Sequence, residues 1–431
     1  MGSRLFWRRT ATAAGLYGTT ALGILGTVVV ARAFSTADFG LFATVVVAAG
    51  FFQVLLDLTV EESLTKYGFR YVESGQWGRL RGLFVTALRV KLAGGLLAAL
   101  ALLALAPVAD LLFGSEELPW LFVAVAPLPL LQAPENVAAT ALLLRSRYDL
   151  RGLFGTVAMA LRLAAIVIGT RYGVAETVIA LLVAQAAATS AIGVGGLLAL
   201  RRFPHAGREP LGDDRRGIVR FVVQSTLGTG IISLRALLAP LLLGVVAGPT
   251  QVGLFRIAQA PQSGFAAASS PVRLILLTEQ TRDWERGETA GVLTGVRRYT
   301  AVAAVLMAAT VPFFFWLMPD LVRLAFGERY LAAVDPARIM LLAGALQLIV
   351  GWTKSLPVSI GRPNLRIVAH GIETAVLLPL VIVFGLRWEA TGAAAAVLAG
   401  TVAFVLVWAA LFLRIVRDES QRVTPREALA P

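Results

Sequence analysis

The sequence predicts an all-α polytopic membrane protein of about twelve transmembrane helices in two six-helix parallel repeats around a central cavity. Three observations carry that prediction. The 431-residue chain is 57% hydrophobic and only 15% charged, and its apolar runs recur at membrane-spanning length, about 20 residues each. Short motifs of the first half return in the second, in the same order and at nearly one spacing. A single polar segment separates the two sets. Spans are placed at roughly residues 10–33, 39–60, 82–106, 118–143, 152–170 and 176–200, then 218–248, 250–277, 297–318, 336–353, 364–386 and 390–413.

The repeat is read directly from the residues. FGLF at Phe39–Phe42 returns as VGLF at Val252–Phe255, and Phe113-Gly114 as Phe326-Gly327. RYDLR at 147–151 answers RPNLR at 362–366 with a two-residue slip, and Leu200-Arg201 answers Leu413-Arg414. An even number of spans per copy makes both copies enter from the same face, so the repeats are parallel and a cavity is expected between them. The expected organisation is an N-terminal lobe (1–200), a linker (201–217), a C-terminal lobe (218–414) and a tail (415–431). The linker, RRFPHAGREPLGDDRRG, reads as a solvated connector with His205 exposed on it.

The net charge of +13 is a topology signal, with no nucleic acid called for. Lys and Arg outside the spans fall overwhelmingly on one side, which places both termini in the cytoplasm. Arg8-Arg9 and the apolar run after them imitate a signal peptide, but that run is long and a second span follows at once, so a retained first helix is expected. Prolines at 127, 129 and 134 in the fourth span, 240 in the seventh, and 261 and 271 in the eighth predict bends, whether for rocking or as static kinks. Gly94-Gly95, Gly193–Gly196 and Ala393–Ala396 permit close helix contact.

Enzymatic chemistry is hard to place on this chain, and neither catalysis nor a cofactor is expected. It has no cysteine, and none of its three lysines (Lys66, Lys91, Lys354) stands in a phosphate-cradling glycine loop. Neither histidine has a metal-ligand spacing. The predicted outer loops are short.

Charges within the spans are expensive in lipid, about 2.5–3.5 kcal/mol for an arginine at the centre of a helix. Arg273 can snorkel from the end of its helix. Arg89 and Lys91 are read as structural, with Glu135 at a similar depth able to pair with either. Arg162 and Arg235 fall near mid-membrane, Arg256 roughly 9 Å below the outer surface, and Arg32 at the outer end of the first span. None of the four has an arginine at its repeat mate. Charges that serve a shared fold should be symmetric, so these are candidates for an anionic ligand, phosphate oxygens suiting the guanidinium fork. Internal pairing is the competing reading. Gln53, Asp57 and Glu61 share one helical face, as do Arg256, Gln259 and Ser263. Asp57, and His370 with Glu373 one turn apart, are candidates for ion or proton coupling, against ordinary structural pairing.

ARAFSTADFGLFATVVVAAGFFQVLLDLTVEESLTKY in the first half resembles the opening of bacterial polysaccharide-export flippases, as do LLLGVVAGPTQVGLFRIAQAP and PDLVRLAFGERYLAAVDPARIMLLAGALQLI in the second. These belong to the multidrug/oligosaccharidyl-lipid/polysaccharide exporter superfamily, and the likeness runs over essentially the whole chain. The resemblance implies alternating access that moves undecaprenyl-pyrophosphate-linked glycans, or teichoic-acid-type precursors, across a bacterial cytoplasmic membrane. It also implies basic residues on the first, seventh and eighth helices meeting the pyrophosphate, which here are Arg32, Arg235 and Arg256. The partners implied are a lipid-linked glycan, the bilayer and other glycan-assembly membrane proteins. A cation-coupled drug or metabolite antiporter of the same superfamily is the first alternative, and a membrane glycan polymerase or transferase the second.

Overall fold

The computed structural model describes residues 2–362 and 364–427, with side chains described from Gly18 to Arg417 except at 227–229, 231, 232, 234, 268, 270–275, 277, 278 and 285. Arg273, expected to snorkel, has its side chain outside the described residues. Among the described residues every regular element is a helix, the form that satisfies each backbone group within its own segment when lipid cannot. The chain forms two compact units, Met1–Gly253 and Leu254–Pro431.

The first unit opens with α1 (Gly2–Ala33) and α2 (Thr36–Leu56). Ser35 starts α2, its Oγ accepting from the Asp38 amide at 3.1 Å and donating to Asp38 Oδ2 at 2.8 Å. A short α3 (Glu61–Glu73) follows, then α4 (Trp77–Leu105) and α5 (Ala109–Phe113). The fourth span is not one helix. Its prolines divide it into α6 (Leu118–Val125), α7 (Leu128–Gln132) and α8 (Glu135–Leu144), as their missing N–H groups predict. Then come α9 (Tyr148–Gly169), α10 (Val174–Arg201) and α11 (Asp214–Ala247), which carries Pro240 without breaking. The eighth span divides at Gln259 into α12 (Pro249–Ala258) and α13 (Ala260–Glu285), with Pro261 in the first turn of the latter.

The second unit continues with α14 (Thr289–Phe326), α15 (Val334–Ile349), a one-turn α16 (Leu356–Ser359) and α17 (Asn364–Glu427). α17 is two helices joined at Glu389, whose φ of 52° and ψ of −131° reverse the chain. The core of this unit gathers around Trp352 and Trp408, edge to face at 5.6 Å.

The repeated motifs have structural jobs. Gly114 and Gly327, the mates in Phe-Gly, both have positive φ (68° and 104°) and end their helices. Gly40 and Gly253, the mates in Gly-Leu-Phe, lie against each other. A Cβ on Gly253 would stand 3.0 Å from Gly40 Cα, and one on Gly40 would stand 2.3 Å from the Pro249 carbonyl oxygen. Backbone cannot yield as a side chain can, so Gly40→Ala should lower stability by about 1–3 kcal/mol. A thermal scan of the detergent-solubilised protein reads this directly, and an unchanged midpoint would show that the contact relaxes freely.

The linker is exposed over most of its length, as a solvated connector should be, but it is anchored at Phe203. Phe203 is buried and stacks on Trp77 at 5.5 Å, and the Arg145 guanidinium lies over the Phe203 ring at 5.0 Å from its centre. The Glu209 amide donates to the Gly78 carbonyl at 3.1 Å, and Arg81 meets exposed His205 at 3.4 Å. At the start of α11, Asp214 accepts from the Tyr71 hydroxyl at 2.9 Å and pairs with Arg70 and Arg79 at 3.4 and 3.6 Å. Burial and the adjoining Asp214 carboxylate push the Tyr71 phenol up to about 12. One phenylalanine, Phe203, together with the Glu209 and Asp214 contacts, docks the linker on α3 and α4.

Candidate functional site

A buried group of charges in the first unit is built where α2 stops. After Leu56 the chain leaves the helix for four residues and resumes as α3, so Asp57 and Glu61 flank a break and do not share one continuous helical face. Gly94 lets α4 come close there, since a Cβ on it would stand 2.7 Å from the Leu56 carbonyl oxygen. One turn earlier on α4, the Lys91 ammonium lies 2.7 Å from Asp57 Oδ2 and 3.1 Å from Glu61 Oε2, with its side chain only 3% exposed. The Thr59 amide in the break donates to Thr226 Oγ1 on α11 at 3.0 Å. Beside the triad opens a cavity of about 440 Å³, lined also by Gln53, Asn136, Thr226 and Ser233. Two carboxylates face one ammonium, and Asp57 Oδ1 is buried with no hydrogen-bond donor, so the pocket favours positive charge.

This arrangement corrects the expected partner of Lys91, which is Asp57 with Glu61 and not Glu135. Glu135 accepts instead from Gln185 Nε2 at 3.0 Å. Arg89 is exposed. Helical spacing gives the depth of a residue in the membrane, while the direction it faces is set by neighbouring helices.

The candidate arginines lie in both units. In the first, Arg32 is exposed in the last turn of α1, Arg162 is half-buried on α9 and Arg235 half-buried on α11. In the second, Arg256 is exposed on α12, and its Nη1 donates to Gln259 Oε1 at 3.2 Å across the break between α12 and α13. Arg256 and Gln259 are therefore in contact, as their shared face predicts.

Sequence reasoning missed a pair of polar ladders. In the first unit, Gln132 Nε2 donates to Gln185 Oε1 at 3.1 Å, and Gln185 Nε2 reaches Thr189 Oγ1 at 3.0 Å. In the second, Gln262 Nε2 donates to Gln347 Oε1 at 3.0 Å, and Gln347 Nε2 to Thr401 Oγ1 at 3.2 Å. Gln132 and Gln347, like Thr189 and Thr401, stand within two residues of the repeat spacing, a signal that amide residues in apolar spans could have supplied. His370 and Glu373 meet as the sequence suggests: Nδ1 and Oε2 are 2.9 Å apart, both side chains are largely buried, and the imidazole stacks on Phe404 at 4.9 Å. Among the described residues no group of three or more His, Cys, Asp and Glu could hold a metal ion.

Residues 8–270 of this chain match the family described as polysaccharide biosynthesis protein. The chain belongs to that family. No curated protein matches it. Its fold is shared with the lipid II flippase MurJ in an inward closed conformation, with a TM-score of 0.73 and 15% identity over 94% of this chain and 87% of that one. It is shared equally with an inward-facing multidrug resistance MATE family transporter of the MOP superfamily, with a TM-score of 0.70 and 14% identity over 93% and 96% of the two chains. A MOP superfamily transporter from Pyrococcus furiosus, titled for the reverse polarity of its binding pocket, aligns with a TM-score of 0.60 and 14% identity over 94% of each chain. This polysaccharide biosynthesis family member is thus a multi-pass membrane protein with the MOP fold, in agreement with the resemblance read from its sequence.

Proposed function

We propose that the chain is a flippase carrying undecaprenyl-pyrophosphate-linked glycan precursors, or teichoic-acid-type precursors, across the bacterial cytoplasmic membrane. The observation that carries this reading is the match of more than half the chain to a polysaccharide biosynthesis family, joined to a fold it shares with transporters. In this reading the lobes at 1–200 and 218–414 alternate access, and both termini stay in the cytoplasm, the side favoured by the basic loops. Arg32, Arg235 and Arg256 hold the diphosphate, with Gln259 orienting Arg256, while Arg162 lends positive charge from α9. The polyprenyl tail remains in lipid. Other membrane proteins of glycan assembly supply and receive the cargo.

Direction must come from an ion gradient or from the cargo's own gradient. His370 with Glu373 is the better coupling candidate, because its imidazole and carboxylate meet at 2.9 Å on a buried face where one proton can be shared. Asp57 shares Lys91 with Glu61 and would act through that lysine.

Export of small cations is a second reading, favoured by the excess of carboxylate over ammonium in the α2–α4 pocket. Purified protein in liposomes separates the two. Protein-dependent movement of a polyprenyl-diphosphate oligosaccharide between leaflets is the expected result, and an imposed ion gradient reveals coupling. Export of a cationic dye with no movement of the lipid would overturn the flippase reading in favour of the second.

A further inference from the structure

The end of the first unit away from the linker carries a concavity of about 630 Å³ between the start of α2, the start of α6 and the α9–α10 turn. Its lining includes Asp38, Glu117, Trp120, Arg171, Tyr172 and Glu176. Trp120 and Tyr172 are 61% and 73% exposed. A ring that merely anchors a helix at a lipid surface sits among lipid headgroups. These two rings line a hollow in company with three carboxylates and a guanidinium, a surface with apolar faces and fixed polar groups, as small-molecule sites have.

One of the polar groups is held in place before any ligand arrives. Asp38 is fixed by Ser35 at 2.8 Å. The turn at Gly173, with φ of 145°, sets Glu176 on the rim of the hollow with its side chain exposed. Groups already ordered lose less entropy when a ligand binds. Three carboxylates against one arginine repel phosphate and acidic sugars but accept hydroxyl donors strongly. The exposed ring faces suit the apolar C–H faces of a pyranose.

We propose that this concavity is a subsite for a neutral, hydroxyl-rich sugar, separate from the arginines that hold the diphosphate. The inference rests on the glycan-carrying reading above. In that context the subsite engages the sugar end of the cargo on the face opposite the linker, and its charge keeps the diphosphate out.

Saturation-transfer NMR on the full chain in nanodiscs tests the subsite, with cellotriose, trigalacturonate and tetramethylammonium as probes. Cellotriose should receive saturation, and Trp120→Ala with Tyr172→Ala should weaken its binding about five-fold or more. Trp120→Phe with Tyr172→Phe, which keeps both rings, should retain most of it and controls for misfolding. Trigalacturonate should bind only after Glu117→Gln and Glu176→Gln. Absence of cellotriose binding, binding indifferent to loss of the rings, or a response to tetramethylammonium alone would overturn the proposal. Ring-dependent cellotriose binding without lipid movement in liposomes would leave the subsite standing and sink the flippase reading. The opposite pair of results would do the reverse.

Discussion

Lys91→Met should cost about 3–5 kcal/mol of stability, because it leaves Asp57 and Glu61 as carboxylates without their shared cation. The lysine is almost fully buried and touches both, so water cannot replace it as it would at an exposed pair. The loss should appear as a lower thermal midpoint in detergent and as reduced yield from the membrane. A neutral triple variant, Lys91→Met with Asp57→Asn and Glu61→Gln, should recover most of that loss, since removing a whole buried network is far cheaper than removing one member. The triple variant also separates two roles. If it folds and still transports, the triad is a brace for the break between α2 and α3. If it folds but does not transport, the charges themselves take part in the cycle. A Lys91→Met protein that melts like wild type would show that the carboxylates are already neutral or hydrated, and the account of the pocket would fail.

Much of the fold is legible because lipid leaves few alternatives. Apolar runs of spanning length had to be helices, and Pro127, Pro129 and Pro134 had to interrupt theirs. The break at 57–60 was hidden, because Asp57-Leu58-Thr59-Val60 contains neither proline nor glycine. That break depends on Thr226 and on the close approach of Gly94, both distant in sequence. The docking of the linker was hidden for the same reason: one phenylalanine stacking on Trp77 outweighs the polar composition around it. The partner of Glu135 was misread because Arg89, Lys91 and Gln185 offer it similar depths, and only the packing of α8 on α10 selects Gln185.

The arginines carry the largest expected functional effect. Arg235→Ala with Arg256→Ala should reduce lipid translocation by about 10²–10⁴-fold, two charge-assisted hydrogen-bonding groups at about 1.5–3 kcal/mol each. Lysine at either position should rescue poorly, because a point charge cannot reproduce the paired N–H geometry that grips two phosphate oxygens. Gln259→Leu should act in the same direction but more weakly, since it removes only the acceptor that orients Arg256. Diphosphate binding by Arg235 and Arg256 requires loss of transport in a protein that still folds. If the double alanine variant transports at the wild-type rate, the arginines pair internally and the headgroup is held elsewhere.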